Sequence, residues 1–145
     1  MSPENFILFL DENHCNNRKI LDVLNAAGIP VERHLANFPR GTPDEDWLPI
    51  VGKNGWVLLT TDARIRYRTN EKRAVMENNV RMFYFSSNNL SGQQMASALE
   101  VALPRMRRIF AKQNPPFCAA ITRSGDVVVR ETFSAPDAKV ARTES

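Results

Sequence analysis

The sequence predicts an α/β domain built on a mainly parallel sheet. Short apolar runs alternate with stretches of helical periodicity, the pattern of repeated strand–helix–strand units. Acids follow two of those runs, Asp11 at once and Asp62 two residues on, which places them at strand carboxyl ends. The 145 residues suffice for one substantial core and not for two well-packed units.

The first strand is Phe6–Leu10, a continuous apolar run stopped by Asp11-Glu12-Asn13. Ile20, Leu24 and Ala27 then recur at helical spacing, with Asn16 or Asn17 as N-cap and Gly28-Ile29-Pro30 as the stop. A weak strand is expected around Val31–His34. After a loop with Pro39 and Gly41, Thr42-Pro43-Asp44-Glu45 reads as a helix start, with Thr42 as N-cap and Glu45 closing a capping box. Trp47, Leu48, Ile50 and Val51 give this helix its buried side, and Pro49 is expected to shorten or kink it.

Trp56–Thr60 is the clearest strand, with Gly55 before it. A short helix over Glu71–Asn78 and a strand over Met82–Phe85 follow. Phe6–Leu10, Val57–Thr60 and Met82–Phe85 should be neighbours in one sheet. Ser91 and Gln94 form a second capping box, opening the longest helix, which runs to about Lys112 with a break or kink expected near Val101–Pro104. Phe117–Thr122 and Val127–Glu131 flank Arg123-Ser124-Gly125-Asp126 as a hairpin. Residues 1–133 thus read as one domain and residues 134–145 as a flexible tail.

Hydrophobic residues at 43% and charged residues at 24% exclude a disordered or fibrous chain. No apolar run reaches the roughly 18 residues of a bilayer span, and the opening segment lacks a signal-peptide pattern, so the expectation is a cytoplasmic protein without a membrane partner. Cys15 and Cys118 read as reduced thiols, and His14, Cys15, His34 and Cys118 lack the paired spacing of a zinc site. The net charge of +3 is compatible with a polyanionic partner. Arg64, Arg66, Arg68, Lys72 and Arg73 form one basic cluster, and Arg105, Arg107, Arg108 and Lys112 a second. If both flank the acidic rim, affinity for a polyanion should fall steeply with salt.

Asp11 and Asp62 end strands that share one rim, and Asp44 stands in the first turn of a helix whose Leu48 and Val51 face inward. Each has a plain alternative: a strand end for the first two, a favourable place in the helix dipole for Asp44. Together they suggest chemistry, since clustered carboxylates repel one another unless cations neutralise them. Mg2+ or Mn2+ would accept such oxygen ligands and leave positions for a water and a scissile phosphate. Asp11, Asp44 and Asp62 are therefore the candidate catalytic and metal-binding residues. Glu12, Asn13 and Asp46 are candidate supports, and Arg64, Arg66, Arg68, Lys72 and Arg73 a candidate RNA-binding stretch.

The order F-I-L-F-L-D-E-N, G-T-P-D-E-D-W, G-W-V-L-L-T-T-D and R-M-F-Y-F, from Phe6 to Phe85, resembles the PIN-like nucleases, especially the VapC-like ribonuclease toxins. A-L-P-R-M-R-R-I-F and P-P-F-C-A-A-I are similar to the C-terminal part of that toxin group. The resemblance implies a three-layer fold, extended here by a long helix and a hairpin. It also implies a Mg2+- or Mn2+-dependent endoribonuclease held by a cognate antitoxin, with the family acids at Asp11, Asp44 and Asp62. Many relatives carry another acid two positions after the last of these, where this chain has Arg64. Self-association is left open.

Two further readings compete. A catalytically silent module would keep the fold and bind nucleic acid or an antitoxin. A phosphoacceptor receiver domain would use Asp11-Glu12 and Asp62, with Ser86 or Ser87 as its switch hydroxyl. That reading lacks the lysine expected after the last parallel strand and gives Asp44 no role.

Overall fold

The structure, a computed structural model, describes residues 6–11, 17–60, 69–87 and 90–132, without the side chains at 44, 69–72, 131 and 132. Among them are six strands: β1 (Leu8–Leu10), β2 (Val31–Arg33), β3 (Val57–Thr60), β4 (Arg81–Phe85), β5 (Phe117–Ile121) and β6 (Val127–Thr132). The helices are α1 (Arg18–Ala26), α2 (His34–Asn37), α3 (Asp44–Asn54), α4 (Thr69–Glu77) and α5 (Gly92–Lys112). One sheet in the order β2-β1-β3-β4-β5-β6 joins all the strands, parallel except for the last pair. The expected neighbours β1, β3 and β4 are adjacent, and β5–β6 is the expected hairpin.

Side chains alternate across the sheet, as the period of two requires. Leu8, Leu10, Leu59, Phe83 and Phe85 face one side, where Ile20 and Leu24 of α1 and Met95, Leu99 and Met106 of α5 cover them. Phe9, Leu58, Met82 and Tyr84 face the other, under Trp47, Leu48 and Val51 of α3 and Val75 of α4. The result is a three-layer α/β domain with a core on each face of the sheet.

The layers also fix the hand of each connection. β1–α1–β2, β2–α3–β3 and β3–α4–β4 share one hand. The step from β4 to β5 moves the same way along the sheet as that from β3 to β4, yet α5 lies on the opposite face from α4. It therefore has the other hand, and since about 98% of such crossovers are right-handed, it is the left-handed one.

Several local expectations need correction. Thr42 does not cap α3: its hydroxyl donates to the Pro39 carbonyl at 2.7 Å, Pro43 occupies the cap position, and no side chain caps that end. Ile50 is 39% exposed, because Trp47, Leu48 and Val51 already fill the stripe facing the sheet. The break expected near Val101–Pro104 is not there: α5 runs on through Pro104, as α3 does through Pro49. In α5, Pro104 and Glu100 are both exposed, so the Glu100 carbonyl that loses its partner can turn to water. His34 opens α2 rather than closing β2.

Other signals hold. The Asn17 side chain caps α1 by accepting from the Lys19 and Ile20 N–H groups. Both halves of the Ser91–Gln94 box are made, at 3.0 and 2.8 Å. The hairpin turns at Gly125, whose φ of +93° suits glycine and which lies against Val101 and Ala98 of α5. The flexible tail expected over residues 134–145 lies outside the described residues.

Candidate functional site

In a sheet of this kind the chain reverses direction between its first and third strands, opening a crevice outside their carboxyl ends. Here β1 leads outward to β2, and β3 begins the run the other way, so the crevice lies between the ends of β1 and β3. Asp11 stands one position past β1. Leu10 is in register with Leu59, so the next pair across the crevice is Asp11 and Thr60. Both are buried, at 6% and 1% exposure, on the α3–α4 side of the sheet.

The Thr60 hydroxyl donates to Asp11 Oδ2 at 2.5 Å. A hydrogen bond of this length to a carboxylate is charge-assisted, and it fixes the orientation of the acid. In the sequence Thr60 reads as a strand end only. The register of two parallel strands gives it this place, and sequence periodicity does not report register.

His34 is a second residue that the sequence pattern does not single out. It follows Arg33, the register partner of Leu10, and so stands past β2 as Asp11 stands past β1. The ring is fully buried, 5.4 Å from both Phe38 and Trp47 and 6.0 Å from Phe9. Phe9 in turn stacks on Trp56 at 5.5 Å. This aromatic cluster makes a rigid floor directly beneath the Asp11 end of β1.

Asp44 opens α3, which runs down to the amino end of β3, so its backbone lies at the carboxyl rim; its side chain is not among the described ones. Asp46 is on the same turn, with an exposed side chain. Asp62, Glu12, Asn13, Arg64, Arg66 and Arg68 lie outside the described residues, as does the side chain of Lys72; Arg73 is exposed on α4. Among the described residues no cluster of three metal-ligating side chains occurs. As a donor, Asp11 fits a hard cation: it is a carboxylate with its plane fixed by a hydroxyl, at a strand end.

The second basic cluster does not flank this rim as a unit. Arg105 reaches the β5–β6 turn, donating to the Gly125 carbonyl at 3.4 Å and lying 3.8 Å from Asp126. Arg107 lies over Phe6, before β1, at the opposite edge of the sheet.

Replacing Thr60 by valine tests the pair. The swap keeps the shape and deletes a hydrogen bond to a charged group, so a stability loss of about 1.5–3 kcal/mol is expected in urea melts. A cycle with Asp11→Asn separates the coupling between the two side chains from other effects.

A model of the family described as a PIN like domain matches residues 7–87, more than half of the chain. No curated protein and no solved structure matches it. The matched segment runs from β1 to just past β4 and contains Asp11, Asp44, Thr60 and Asp62.

Proposed function

Since the chain belongs to the PIN-like domain family, we propose that it is a Mg2+- or Mn2+-dependent endoribonuclease, the toxin of a toxin–antitoxin pair. The observation that carries this reading is the buried Asp11–Thr60 pair at the point where the strand order reverses. A buried carboxylate is costly without compensation, and a compensated one at a ligand-binding crevice suits a cation site. Among the described residues no helix is long and apolar enough to cross a membrane.

In this reading Asp11, Asp44 and Asp62 would hold the ion, with Thr60 keeping the Asp11 carboxylate in place. The ion, when bound, supplies positive charge to a phosphate oxygen and acidity to a water molecule. Asn13, Glu12 and Asp46 would support that water or the ligands. Arg64, Arg66, Arg68, Lys72 and Arg73 would take backbone phosphates on either side of the scissile bond. A cognate antitoxin would cover the rim.

The receiver reading loses ground to the left-handed crossover and to the family match, neither of which it anticipates. The silent-module reading is separated by one experiment. Purified protein is incubated with RNA, with Mg2+ or Mn2+ and with excess chelator. Cleavage is expected with metal and none with chelator. Cleavage that survives exhaustive chelation refutes the proposal, and tight RNA binding without cleavage under any condition favours the silent module.

A further inference from the structure

We propose that the amino edge of the sheet carries a second RNA-binding surface, formed by Arg81, Arg107, Arg108 and Lys112, diagonally across the domain from Asp11. That RNA is the polyanion rests on the functional reading above; the surface itself rests on the following geometry.

Arg81 opens β4, and its guanidinium lies 4.6 Å over the ring of Phe110 near the end of α5. Arg107 lies 5.6 Å over the ring of Phe6. The two rings meet edge to face at 5.2 Å, so a pair of aromatics is bracketed by two guanidinium groups. Stacking holds a guanidinium in a fixed plane with its remaining N–H groups directed outward, the arrangement that suits phosphate. Arg108 and Lys112 are exposed four residues apart on the same helix, about 6 Å along its axis.

Among the described residues these cations lack the acids that would explain them as ordinary surface pairs. α5 makes an ion pair at Arg105, with Asp126; Arg81, Arg107, Arg108 and Lys112 have no such partner among the described residues. Arg81 is the sharpest case. Its Nε is shielded from solvent and makes no hydrogen bond. Burial alone lowers its pKa, with no carboxylate to offset the cost. The helix dipole accounts for a cation such as Lys112 at the end of α5, but not for one on a strand.

An acidic peptide is the less suitable partner. Protein interfaces are anchored by exposed apolar side chains. Among the described residues, the exposed large apolar ones, Ile50, Val101 and Val128, lie elsewhere: on α3, beside the Gly125 turn and on β6. The surface is also separate from the rim. Phe6, the ring under Arg107, and Asp11 are five residues apart on one extended segment, roughly 17 Å along the chain. A contact made there adds to binding without touching the reacting bond.

The test uses the full chain with chelator present, so that cleavage plays no part. A fluorescent single-stranded RNA of about 20 nucleotides is titrated at several salt concentrations. For the double variant Arg107→Ala/Arg108→Ala, whose positions are exposed, affinity should fall on the order of ten-fold. The slope of log K against log salt should become shallower by about 1.4, at about 0.7 per lost phosphate contact. The charge-matched double variant Arg123→Ala/Arg130→Ala, exposed on the β5–β6 hairpin, should bind as the parent does, showing that the loss is not one of net charge. Unchanged affinity and slope in the double variant overturn the proposal and leave the nuclease reading intact. A parent that binds RNA through these arginines yet never cleaves it upholds the surface and sinks the nuclease. Loss of binding to labelled polyglutamate, with RNA binding unaltered, overturns it in favour of an acidic protein partner.

Discussion

Asp11→Asn is expected to abolish metal-dependent RNA cleavage while leaving the domain folded. The loss should exceed the roughly 10–100-fold that removal of an outer partner of a metal ligand costs, because the carboxylate itself would hold the ion. The amide keeps the shape, and its oxygen can still accept the Thr60 hydroxyl now bonded to Asp11 Oδ2. What is lost in stability is the charged part of that bond, about 1 kcal/mol. Relief of repulsion from Asp44 and Asp62, if they share the rim, offsets part of this. Asp11→Ala differs, since it leaves a hydroxyl at 1% exposure without this acceptor and should cost about 1–3 kcal/mol. Cleavage assays with Mn2+ and urea melts of both variants without metal make the comparison. Full cleavage by the asparagine variant would rule out the proposed site.

Gly52→Ala is expected to be the most destabilising of the six glycine-to-alanine changes. A Cβ there would stand 1.8 Å from the carbonyl oxygen of Asn78 and 2.9 Å from its carbon. That carbonyl cannot swing aside cheaply. The Asn78 N–H and side-chain amide both donate to the Ala74 carbonyl, at 3.1 and 2.8 Å, and Asn79 beyond it has a φ of +57°. α3 and α4 would have to separate, opening the core of Trp47, Val51 and Val75. A loss of about 3 kcal/mol or more is expected, at the upper end of overpacking costs. Gly55→Ala is the control: its φ of +71° is unfavourable for alanine, but a Cβ there meets nothing within 4 Å. It should cost about 1–2 kcal/mol. Urea midpoints that put Gly52→Ala no lower than Gly55→Ala would contradict the close approach of the two helices.

Gly52 also shows what a sequence leaves out. Within a helix it reads only as a weak helix former. Its importance comes from a residue 26 positions later, as that of Thr60 comes from Asp11 49 positions earlier. What local chemistry encodes was legible: the alternating runs, Asn17 and the Ser91–Gln94 box as caps, and Asp11 at a strand end. The failures share a cause in tertiary placement. Thr42 had a nearer acceptor in Pro39, Ile50 lost its place to three better-aligned neighbours, and Pro104 fell where water can replace the missing bond. The placement of Arg107 away from the rim likewise follows from the direction in which α5 runs, not from its composition.

The left-handed return through α5 separates the unit of kinship from the unit of folding. The family-matched stretch, residues 7–87, contains the first four strands and the proposed ligands. Yet among the described residues the helix it brings to one face is α1, over Leu10, Leu59, Phe83 and Phe85, and Met95, Leu99, Ala102 and Met106 of that roof come from beyond the match. Had the last crossover taken the usual hand, α5 would have joined α4 and left this face half bare. The matched segment that carries the proposed chemistry is therefore not self-sufficient: α5, which lies outside the match, completes its hydrophobic interior.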